Sequence, residues 1–224
     1  YSGTTVHGQA TAIWGYPVGL TTLPLIISVC EYDKFAKGQL VYDPPPPGYT
    51  APDPTVLLFH DGKTTEECNA QAGQDADADG KLDGGFGWLE TSGSCSTDIQ
   101  SGGWVASDPG SSTSTGCDPS TLKQLLYGEI VLIPIFDDVL KCTGSEPQCL
   151  TENLPNGKWY HVEDFVAFYV TGYNFAGQYK ETLTGSLPCF GDERCLEGYF
   201  TTGTTLVGDI GGDFKGVVIV KLIG

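Results

Sequence analysis

The chain has 224 residues, enough to bury a substantial core in one large domain or two small ones. Its 28 acidic residues against 11 Lys and Arg leave a net charge of −17 at pH 7. That balance excludes nucleic acid and anionic membrane as partners, since both are held through clustered Lys and Arg, and it suits divalent cations or a highly solvated surface.

Glycine, threonine, proline and aromatic residues are abundant and methionine is absent, a mixture that favours strands and turns over helix bundles. In chain order, "TTVHGQATAIW" (4–14) alternates loosely and predicts a strand. "LPLIISVCEY" (23–32) is a continuous apolar run of strand length, as in a strand covered on both faces. "YDPPPPGYTAPDP" (42–54) is a proline-rich excursion whose four consecutive prolines favour polyproline II. "TVLLFH" (55–60) predicts a strand, residues 61–85 an acidic loop, and residues 102–120 a polar loop.

"DPSTLKQLLYGE" (118–129) is the best helix. Asp118 or Ser120 serves as cap, Leu122, Leu125 and Leu126 share one face, and Gly128 ends it. "IVLIPIF" (130–136) reads as a strand whose Pro134 points to an end or an edge. "HVEDFVAFYVTGYNF" (161–175) alternates, with Val162, Asp164, Val166, Phe168 and Val170 on one side and Phe165, Ala167, Tyr169 and Thr171 on the other. "GYFTTGTTL" (198–206) and "GVVIVKLIG" (216–224) are strands, the last apolar enough to be central. The sum is an all-β fold of about seven or eight strands with long loops and one short helix. It predicts a disulfide-stapled sandwich or barrel-like body, taken as a single extracellular domain over residues 1–224.

The eight cysteines contain no Cys-x-x-Cys pair, and no histidine stands at ligand spacing from them, which disfavours zinc or thioredoxin-type chemistry. An oxidised framework, and with it an extracytoplasmic home, is the better reading. Eight cysteines allow roughly a hundred pairings. The sequential set Cys30–Cys68, Cys95–Cys117, Cys142–Cys149 and Cys189–Cys195 is the expectation, with the exact pairing left open. The chain opens on Tyr1 rather than Met, as a processed or excised piece would, and no apolar run approaches the length of a membrane span.

"DADADGKLD" (75–83) sets oxygen donors at the first, third, fifth and ninth places, with Gly80 permitting the sharp turn between them. This is the front half of a calcium loop: Asp75, Asp77, Asp79, the backbone carbonyl of Lys81, and Asp83, directly or through water. The twelfth place, a bidentate Glu in an EF-hand, is Phe86, and flanking helices are not predicted. The expectation is therefore a structural Ca²⁺ held by a DxDxDG loop, with Glu90 or a distant acid completing the shell; the bland reading is an acidic loop without an ion.

Other candidates have bland readings that outweigh the sharp ones. Asp137-Asp138 reads as a turn cap where the chain leaves the sheet rather than an acid pair. His161 and Glu163 lie two apart on one strand and predict a structural His–Glu contact. Trp14, Trp88, Trp104 and Trp159 read as core and turn residues before they read as a sugar platform, and "YVTGYNFAGQY" (169–179) is the expected exposed aromatic patch. The sequence contains no Gly-x-Ser-x-Gly, His-Glu-x-x-His or P-loop pattern, and cysteines committed to bridges supply no nucleophile.

The ordered segments "ATAIWG", "LPLIISVCEY", "GGFGWLE", "IVLIPIFDD", "YHVEDFVAFYVTGY" and "CLEGYFT", with the cysteines between them, resemble the extracytoplasmic part of TadG-like proteins of the Tad (tight adherence, Flp-type) pilus-assembly systems of actinobacteria. The resemblance runs from about residue 9 to the C-terminus and is sparse over 33–70 and 141–157. It implies a secreted or envelope-bound, pilus-associated role and supplies no catalytic residues. The triple-aspartate loop and the Cys142–Cys149 pair fall outside its pattern. The expected function is thus a non-enzymatic cell-surface protein making protein–protein or adhesive contacts. Its partners would be other protein subunits, envelope components or further copies of itself. The alternative is a secreted carbohydrate-binding protein or hydrolase whose site is assembled from dispersed residues.

Overall fold

The computed structural model describes residues 11–36, 53–59, 68–69, 81–82, 84–91, 93–110, 112–191, 193–205, 208–211, 215 and 217–223. In chain order the elements begin with β1 (Thr11–Gly15), β2 (Pro17–Thr22), β3 (Leu25–Ser28), α1 (Val29–Phe35), β4 (Thr55–Leu58), β5 (Cys68–Asn69), β6 (Lys81–Leu82), β7 (Phe86–Trp88), β8 (Thr97–Gln100) and β9 (Trp104–Ala106). They continue with α2 (Pro119–Leu126), β10 (Ile130–Cys142), α3 (Pro147–Thr151), β11 (Gly157–Asn174), β12 (Lys180–Thr182), β13 (Cys195–Thr201), β14 (Gly203–Thr205), β15 (Asp209–Ile210) and β16 (Val217–Ile223). The fold is all-β and strand-rich, as the composition predicts.

The spine is β11, whose 18 residues far exceed a common strand. One of its edges carries β10 and then β12; the other carries β9 and then β13. The path of the large sheet is β4-β13-β11-β10-β3-β7. Two three-stranded sheets, β1-β16-β14 and β15-β2-β8, lie against β10 and β11. At Gly203 on β14 an added Cβ would sit 2.9 Å from Ala167 Cβ, so the two layers meet there with no room for a side chain. The central residues of β11 are buried on both faces, which is why its alternation carries apolar groups on each side. On β16, the central strand of its small sheet, Val217 and Ile219 turn inward.

Four bridges close the chain in sequential order: Cys30–Cys68, Cys95–Cys117, Cys142–Cys149 and Cys189–Cys195, and no free cysteine remains. Four closed bridges mark a protein of an oxidising compartment. No helix among the described residues is long and apolar enough to cross a membrane.

Several local expectations are corrected. There are three helices among the described residues, not one. The run 23–32 is not one strand: β3 ends at Ser28, whose hydroxyl accepts from Cys30 N at 3.2 Å and caps α1. The pattern Ser28-x-x-Glu31 is a capping box, a signal that overrides apolar continuity. The glutamate, however, reaches across to accept from Gly85 N at 2.9 Å. α2 is capped by Asp118 and ends at Leu126, and Leu125 stands 40% exposed while Leu122 and Leu126 are buried.

α3 starts at Pro147 inside the Cys142–Cys149 bridge, after Glu146 has gathered the backbone N–H groups of Thr143, Gly144 and Ser145. Pro134 lies within β10 rather than at its end, opposite Phe165 on β11. The pairing of β10 with β3 begins one residue later, at Ile135.

Candidate functional site

Two places in the fold are candidates for a functional site: a part-buried acid–histidine contact where β10 meets β11, and the outer edge of β1 among the described residues. The cluster is built by irregular pairing. The register runs Ile135↔Asp164, Phe136↔Val162 and Asp138↔His161, so Asp137 is an extra residue with no opposite number. A bulge of this kind re-aims a side chain, and here Asp137 Oδ1 comes to 2.6 Å from His161 Nδ1. Neither aspartate of the 137–138 pair caps a turn as the chain leaves the sheet: both are buried within β10, and Asp138 Oδ1 accepts from Val139 N at 2.7 Å. Asp164, opposite Ile135, is also buried and accepts from Phe165 N at 2.8 Å.

His161 does not pair with Glu163 as its spacing suggests. Its partner is Asp137, and Trp104 flanks the imidazole with ring centroids 5.2 Å apart. Glu163 instead pairs with Lys215. The bond to Asp137 holds the His161 pKa above its ordinary value, against the opposing pull of burial, and the Gly102 backbone adds to the rise. The contact links β10 to β11, and Trp104 brings β9 against the same ring.

The calcium-ligand aspartates Asp75, Asp77, Asp79 and Asp83 lie outside the described residues. Lys81 begins β6, paired with Asn69 next to the Cys30–Cys68 bridge, and Glu90 is exposed. Among the described residues no group of three or more His, Cys, Asp and Glu side chains is arranged to hold a metal ion.

The aromatic residues divide differently from expectation. Within 169–179, Tyr173 and Phe175 are buried and stacked 5.1 Å apart, and Trp88 packs on Phe175 at 5.0 Å. Among the described residues the exposed rings are Phe190 and Trp14, the latter 68% exposed. Trp14 belongs to β1, which pairs only with β16 among the described residues. Thr11 to Trp14 are all exposed, so both faces of the strand stand clear of the body.

Nothing in the sequence pattern separates an overhanging strand from a packed one, since "TAIW" alternates in either case. Elsewhere the surface holds an apolar depression of about 360 Å³ beside Leu23, Leu125, Val131 and Leu132. A smaller hollow of about 200 Å³ is rimmed by Asp98 and Asp209, with Asp98 Oδ1 taken by the Thr21 hydroxyl.

No family model, no curated protein and no solved structure matches the chain.

Proposed function

We propose that the chain is a non-enzymatic, extracellular structural protein of TadG-like kind, associated with a pilus or the cell envelope, and that it acts by protein–protein contact along the edge of β1. The observation that carries this reading is the strand itself: five residues without a charge, a proline or a bulge, at the edge of its sheet among the described residues, with Ile13 and Trp14 both exposed. Natural sheets blunt such edges unless the edge is used. The resemblance of the ordered sequence segments to TadG-like proteins is what supports a pilus or envelope setting, and the sequential disulfides supply the rigidity an extracellular module needs. Residues 75–83 hold a structural Ca²⁺ in this reading, tying down the chain that leads from Cys68 to β7.

Deleting the gene and examining the cells by electron microscopy tests it. Loss of surface pili, restored by the wild-type gene, is the expected result; unchanged piliation and an unchanged envelope protein profile would remove the proposal.

A further inference from the structure

We draw no further inference here: the strongest candidate, the apolar depression of about 360 Å³ where Thr22 of β2, Leu125 of α2 and Val131 of β10 meet, carries none because nothing in the structure shows what covers it.

Discussion

Asp137 occupies the bulge of β10, and its carboxylate meets the imidazole of His161 on β11 at 2.6 Å, with Trp104 of β9 against the ring. One contact thus ties three strands of the large sheet at the point where their register slips.

The pH dependence follows from that contact. Pairing with Asp137 raises the His161 pKa in the folded protein. Below about 6.5 the histidine is charged whether the chain is folded or not, and the pairing contributes in full. As pH rises through the folded value, the ring loses its proton and the contribution is lost. Folding stability at constant salt should therefore fall across that window, and an NMR titration should show one histidine titrating above the ordinary range. Asp137→Asn should flatten the slope and cost about 2 kcal/mol, the scale of a lost charge-assisted hydrogen bond.

Packing predicts a sharp contrast between aromatic positions. Phe168 is fully buried, its ring 5.1 Å from Phe200 and edge-on to it, so Phe168→Ala should cost about 3–5 kcal/mol in denaturant unfolding. Trp14→Ala, at a residue 68% exposed, should change stability by less than about 0.5 kcal/mol. A large loss for Trp14→Ala would mean that β1 packs on the body.

At Gly198 the backbone leaves no space. A Cβ there would run into the Tyr169 carbonyl oxygen and the Phe168 ring, since β13 closes on β11 at this point. Gly198→Ala should destabilise by at least about 2 kcal/mol, the cost of forcing strands apart in a packed sheet.

The disulfides should rank by the length of chain they close. Cys30–Cys68 spans a separation of 38 residues and Cys189–Cys195 only 6. Replacing the first pair by alanine should cost about 4 kcal/mol and the second about 2 kcal/mol, as loop-closure entropy predicts. Intact-mass analysis of the unreduced wild-type chain should find no free thiol.

Calcium removal is the last of these tests. If residues 75–83 hold the ion, chelation should lower the melting temperature, and calcium titrated back should restore it by mass action. Asp77→Asn should weaken the calcium response without altering the apo protein's melting. An unchanged melt with chelator would take the ion out of the account.

Strand content and the bridges were legible because both are written locally: period-two alternation in 161–175 and cysteines whose order along the chain matches their pairing. The helix at 29–35 was hidden because Val29 and Cys30 continue an apolar run, and only the Ser28–Glu31 spacing announces it. The acid–histidine pair was out of reach for a different reason. Alternation within one strand places His161 near Glu163, whereas the contact to Asp137 depends on a bulge in a neighbouring strand 24 residues away. The exposure of β1 likewise depends on where the other described strands pack, which no local pattern states.

The most direct test sets the two candidate sites against each other in cells lacking the native gene. An Ile13→Lys copy and an Asp137→Asn copy, each shown by circular dichroism to be folded, are scored for piliation beside the wild type. Loss of pili with the altered edge and normal pili with the altered acid is the predicted outcome. Normal pili with the edge variant, and loss with the aspartate variant, would place function in the acid–histidine cluster and contradict the account.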